Sequence, residues 1–249
     1  MDNLVYTYNN NFINLLTLID ELINKNIKPY NIKSNGYNPN LLEEIVNLNL
    51  FDNSNVINKI KRLNSDLLKV MYYVYLSNDD NKELIIYYLF LNSYKYKEKL
   101  LNMRNLNCVS ASLKISNYVS REAHKYKGFV RFKELNNGVL YAEIEPTNNI
   151  LSIISKHFKN RLSNFYWIIK DNKREIISIY DKKNYYIIDS KRLLIDLEID
   201  NNDYEDLWCT FYETIGIKER KNDKCRMNFM PKKYWKYIIE VSDNIEKSS

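Results

Sequence analysis

The chain has 249 residues, 45% of them hydrophobic and 27% charged, with a net charge of +6 and a mean hydropathy of −0.50. That balance describes a soluble globular protein long enough for one large domain or two small ones. Only four glycines and three scattered cysteines, Cys108, Cys209 and Cys225, exclude a Gly-rich phosphate loop and a zinc or iron–sulfur site of ordinary spacing.

In chain order, "LVYTYN" alternates as a short strand with Leu4, Tyr6 and Tyr8 on one side. Phe12, Leu15, Leu16, Ile19, Leu22 and Ile23 then fall at helical spacing. "NIKPYNIKSNGYNPN" holds two of the four prolines and reads as a loop. From Leu41 to Leu101 the pattern is helical, without Pro or Gly. Leu63, Leu67, Val70, Met71 and Val74 form one stripe; Leu84, Ile85, Tyr88 and Leu89 form another after the turn "SNDDN". A further helix runs from Cys108 with Val109, Leu113, Tyr118 and Val119 inward, and Gly128 should stop it. The period then changes to two. "FVRFKEL" and "VLYAEIEP", joined by "NNG", signal a hairpin. "NILSIISKHFKNRL" reads as a short helix, and "FYWIIKD", "REIISIYDK" and "NYYIID" as three more strands rich in Val, Ile and Tyr. "NDYEDLWCTFYETIGI" returns to helix, and Pro231 suits the first turn of a final one.

The expected fold class is α+β, with a helical N-terminal half, an antiparallel sheet of about five strands in the middle and C-terminal helices packed on it. The expected division is a mainly helical region over 1–107 and an α+β region over 108–249, which one continuous domain could also contain. "MDNLVYTYNN" lacks the basic and apolar segments of a signal peptide, and "ELIIYYLFLNSY" is too short to span a bilayer. A cytoplasmic protein with free thiols, no membrane attachment and no evident cofactor is therefore expected.

Positive charge is concentrated. Between Thr210 and Lys236, eight Lys and Arg face only Glu213, Glu219 and Asp223, a local excess of +5. Phe229 and Trp235 interrupt this run. Clustered cations suit a polyanion, because neutralised phosphates release counterions, and aromatic rings can stack on bases. A solvated loop and a helix with an apolar stripe of Tyr234, Ile238 and Ile239 are the alternative reading. The two histidines, His124 and His157, are the chain's scarce titratable groups near neutral pH. With Glu122 beside His124, or with Glu143 or Glu145, they are candidates for general acid–base work or a metal site. A structural hydrogen bond at a helix end is the alternative for each. Arg121, Arg131 and Arg161 offer phosphate-binding forks nearby.

"VSREAHKYKGFVRFKELNNGVLYAEIEPTNNILSIISKHFKNRLSN" and "LWCTFYETIGIKERKNDKCRMNFMPKKYWKYI" resemble a bacterial family labelled "probable DNA metabolism protein", built on a domain of unknown function. The opening "YTYNNNFINLL" is similar to that family's Tyr-Asp-Gly start, with Asn9, Asn10 and Asn11 where the small turn would be. The resemblance implies DNA as a ligand. It also implies work beside a radical SAM protein of DNA modification or repair, next to which such members are encoded. Some members are fused to a uracil-DNA glycosylase-like domain. This chain has neither a radical SAM Cys triad nor a glycosylase motif, so it is neither of those proteins.

The family-like positions are Arg121, Glu122, His124, Lys127, Gly128, Phe129, Arg131, Phe132, His157, Phe158 and Arg161, then Lys218, Arg220, Lys221, Asn222, Phe229, Met230, Pro231, Tyr234 and Trp235. The expected catalytic set is His124, His157 and Glu122. The expected nucleic-acid or partner surface is Arg121, Lys127, Arg131, Arg161, Lys218, Arg220, Lys221, Asn222, Phe229, Lys232, Lys233 and Trp235. Three functions stay open: a DNA-binding accessory protein, an enzyme acting on a nucleotide or nucleic acid, and a protein-docking scaffold.

Overall fold

A computed structural model describes residues 3–40, 42–47, 55–135 and 138–190. Both C-terminal helices expected from the sequence lie outside the described residues. Among the described residues, those up to His124 together with Thr147–Ile150 form one unit; those of Lys125–Pro146 and from Leu151 to Ser190 form the other.

The first unit opens with β1 (Asn3–Tyr8) and α1 (Phe12–Asn24). Asn11 caps α1, its side-chain oxygen accepting from the Ile13 N–H at 2.8 Å. β1 is buried on both faces from Val5 to Tyr8 because it is the centre of a parallel three-stranded sheet, ordered β2-β1-β3. Its neighbours are β2 (Asn31–Ser34) and β3 (Glu43–Asn47).

Neither neighbour was expected. Proline and glycine density masked β2, of which only Ile32 is buried. In β3 the run Glu-Glu-Ile-Val has apolar residues at a spacing that fits either element, and short apolar runs do not separate the two. Ile45 and Val46 are β-branched and pair with Val5 and Tyr6.

α2 (Asn55–Leu63), α3 (Leu67–Tyr75) and α4 (Lys82–Tyr96) follow, then a 3-10 turn over Lys97–Asn102. Leu67, Val70, Met71 and Val74 are buried as their stripe implies. α4 instead buries Ile86, Tyr87, Leu89 and Phe90, while Leu84, Ile85 and Tyr88 pack at the core's margin. It is apolar almost all round, so no single stripe identified the inward face.

α4 also buries Glu83, whose Oε1 accepts from the Tyr8 hydroxyl at 3.2 Å. Burial raises Glu83 above the ordinary 4.5, against the pull of its own backbone and of Lys82 and Lys33. Glu83 therefore favours the fold in its protonated form. That contribution is fully present below 4.5 and is lost as pH rises through the raised value. Glu83→Gln should raise the unfolding midpoint at neutral pH and lose this advantage in acid. Equal stability of the two proteins across that range would contradict the assignment.

α5 (Asn107–Phe129) is one continuous helix that passes through Gly128. It buries Val109, Ser112, Val119 and Ala123 and leaves Tyr118 56% exposed, contrary to the inward placement expected of that ring. Adjacent residues on a helix point about 100° apart, so Val119 faces inward as expected and Tyr118 does not.

The second unit holds a five-stranded sheet in chain order: β4 (Lys133–Glu134), β5 (Leu140–Ile144), β6 (Trp167–Asp171), β7 (Ile176–Tyr180) and β8 (Tyr185–Asp189). Gly138, at φ +79°, takes the left-handed turn position of the β4–β5 hairpin. The sheet is mixed rather than antiparallel, because β5 and β6 are parallel. The reason is α6 (Leu151–Arg161) between them: a helix returns the chain to the end from which it started.

Leu151, Ile154 and Phe158 of α6 pack with Ala142, Ile144, Trp167, Ile169 and Tyr180 on one face. The Ser155 and Ser178 hydroxyls meet there at 2.7 Å. Val139, Tyr141, Ile168, Ile177 and Ile179 form a second apolar layer on the other. The α+β class holds.

Candidate nucleic-acid interface

The C-terminal part of α5 carries Arg121, Glu122, His124 and Lys127, and α6 carries His157 and Arg161. Glu122 is engaged by the chain itself. Oε1 accepts from the Thr147 N–H at 2.7 Å; Oε2 accepts from the Asn148 N–H at 2.9 Å and its side-chain amide at 2.6 Å. Asn148 passes the tie on, its Oδ1 accepting from the Asn78 N–H at 3.1 Å. The Asn149 N–H reaches the Leu76 carbonyl at 2.8 Å. Both carboxylate oxygens therefore hold backbone in place. Arg121 and His124 are exposed on the same helix.

Lys127, His157 and Arg161 are brought together in the second unit. The Nε2 of His157 is buried with no hydrogen-bond partner among the described residues, and its ring meets the Phe158 ring edge-on at 5.1 Å. Burial, then the charges of Lys127 and Arg161, hold its pKa below the ordinary 6.5. An imidazole disfavoured as a cation beside two positive charges is complemented by a negative group, which would neutralise those charges and favour the protonated ring.

Among the described residues neither Lys127 nor Arg161 is ion-paired. α6 adds Lys156 and Lys159 and has no acidic residue. Arg131 donates to the carbonyls of Gly128 at 2.7 Å and Val130 at 3.2 Å, so its charge is held at the C-terminal end of α5.

Of the other acidic candidates, Glu143 is held by the Tyr141 hydroxyl at 2.7 Å and the Asn172 amide at 2.9 Å, and these bonds keep its pKa low. Glu145 is exposed. Among the described residues there is no group of three or more His, Cys, Asp or Glu placed to hold a metal ion. No described helix is long and apolar enough to cross a membrane. Lys218, Arg220, Lys221, Asn222, Phe229, Lys232, Lys233 and Trp235 lie outside the described residues.

Residues 79–240 match the family described as Domain of unknown function (DUF4130). The chain belongs to this family. The match spans well over half of the DUF4130 chain and includes α5, the mixed sheet, the Lys127–His157–Arg161 cluster and the basic run beyond residue 210. No curated protein and no solved structure matches the chain.

Arg161 stands out in the sequence by residue type, His157 by scarcity, and Lys127 through the family resemblance alone. Glu122's role has no local signal in the sequence: the donors lie on a distant loop and become neighbours only through the fold.

Proposed function

We propose that this DUF4130 protein binds nucleic acid and serves as an accessory protein in DNA repair or modification, working with a radical SAM partner. The observation that carries the binding is the cluster of Lys127, His157 and Arg161, with an unpartnered imidazole nitrogen and no carboxylate paired to either cation among the described residues. Structural cations on a folded surface are commonly balanced by nearby acids. A set left unpaired, with two of its three members on α6, which has no acidic residue, is suited to phosphate. The repair context and the partner rest on the resemblance of the long segments around His124, His157 and Trp235.

The test is fluorescence anisotropy with labelled DNA across a salt series. Lys127→Glu combined with Arg161→Glu should weaken binding and lower the slope of log affinity against log salt by about 0.7–0.9 for each phosphate contact removed. Binding should also take up a proton at His157, since an adjacent phosphate raises its depressed pKa. Affinity should therefore rise as pH falls toward 6.5 and below. His157→Gln should flatten that dependence. An unchanged salt slope in the charge-reversed protein would remove this surface from consideration.

A further inference from the structure

Two phenylalanines of the second unit face water. Phe129 is 68% exposed and Phe165 50% exposed, while Phe132 and Phe158 of the same segments pack edge to face at 5.0 Å in the core. Isolated exposed apolar residues are ordinary and need no explanation. These two differ in their company.

Phe129 stands between Lys127 and Arg131 in "KGFVR". Arg131, bonded back to the Gly128 carbonyl, is kept at the same helix end as the ring. Phe165 follows Arg161 in "RLSNF", on a turn closed by its own N–H donating to the Leu162 carbonyl at 3.2 Å. The two segments meet through the Phe132–Phe158 pair and through the charges of Lys127 and Arg161 on His157. Phe129 is thus presented at a helix end and Phe165 on a closed turn, each near cations in sequence that no described carboxylate pairs with.

Building on the nucleic-acid reading above, we propose that Phe129 and Phe165 are base-stacking platforms and that the ligand of this surface is a single strand. The phosphates would be held by Lys127, Arg131 and Arg161. A base within a duplex is already stacked on its neighbours and offers only its edges in the grooves. An unpaired base offers its whole face, and stacking on an aromatic side chain tolerates any base. A basic surface with exposed rings also suits an anionic membrane. Membrane-surface helices, however, lay one continuous apolar face in the lipid. α6 instead turns its apolar face, Leu151, Ile154 and Phe158, into the core.

The experiment uses the full chain with three probes: a labelled oligothymidylate, a duplex of the same length, and vesicles containing phosphatidylserine. The single strand should bind more tightly than the duplex at equal salt. Phe129→Ala and Phe165→Ala should each weaken single-strand binding about five-fold or more, leaving duplex binding unchanged. Phe129→Trp should retain the wild-type affinity, which separates stacking from any loss of fold. Duplex binding equal to or tighter than single-strand binding overturns the stacking role and leaves the nucleic-acid reading standing. So does single-strand affinity that survives both alanine changes but falls with Arg161→Glu. Failure to bind either DNA form overturns both, and vesicle binding in their place identifies the surface as a membrane contact.

Discussion

Trp167→Ala should lower the stability of the sheet-bearing unit by about 3–5 kcal/mol, measured by chemical denaturation. The indole is fully buried at the centre of the mixed sheet and stacks on Tyr180 with ring centroids 5.0 Å apart. Truncation forfeits that burial and leaves a cavity that rigid strands on either side cannot close. Trp167→Phe should cost far less, about 1–2 kcal/mol, because a ring remains. Among the described residues the buried indole N–H has no hydrogen-bond partner to lose. A neighbour that did bond it would make the phenylalanine variant nearly as damaging as the alanine one, so the ratio of the two effects tests the local packing. An alanine variant of wild-type stability would rule out this placement of Trp167.

Glu122→Ala should cost about 2–3 kcal/mol, since three donors that now face a carboxylate would lose their acceptor. Glu122→Gln should cost roughly half as much, as an amide keeps one acceptor oxygen and turns its N–H₂ toward a donor. Amide hydrogen exchange gives a local readout. The Thr147 and Asn148 N–H groups should exchange faster in both variants, while the strands of the mixed sheet keep their protection. If Glu122 acted only in chemistry on a ligand, neither exchange nor the unfolding midpoint would move.

The sequence carried the second unit's elements well and their pairing less well. The strands and α6 were legible because alternation, β-branched residues and a Gly-marked turn agree with one another there. The parallel β5–β6 pair followed from a helix lying between two strands, a consequence of connectivity rather than of any residue. β2 and β3 were lost for opposite reasons. β2 hides among prolines, and Ile45 and Val46 of β3 fit two periods equally.

The site was legible as residue types, not as neighbours. Lys127 and His157 lie on different helices, and only the folded second unit brings the charge of one to bear on the other. Phe129 reads as the start of an inward–outward alternation, yet α5 continues through Gly128 to Phe129 and leaves the ring in water. No composition rule anticipates a helix overrunning its glycine by one residue.

The tie from Glu122 to Thr147–Ile150 also bears on how portable the parts of this protein are. The first unit recovers four residues from beyond the first strands of the second, so the chain passes between the units more than once. A single cut after His124 would strip the Glu122 carboxylate of its donors and the Leu76 and Asn78 backbone of their partners. The matched family segment begins at residue 79, just before α4, whose buried Ile86, Leu89 and Phe90 belong to a core completed by α1 and α3. Transplanting that segment alone would carry an uncovered apolar helix with it. Any fusion, truncation or chimera built on this fold should therefore keep residues before 79 in place, or supply a substitute for the surface they cover.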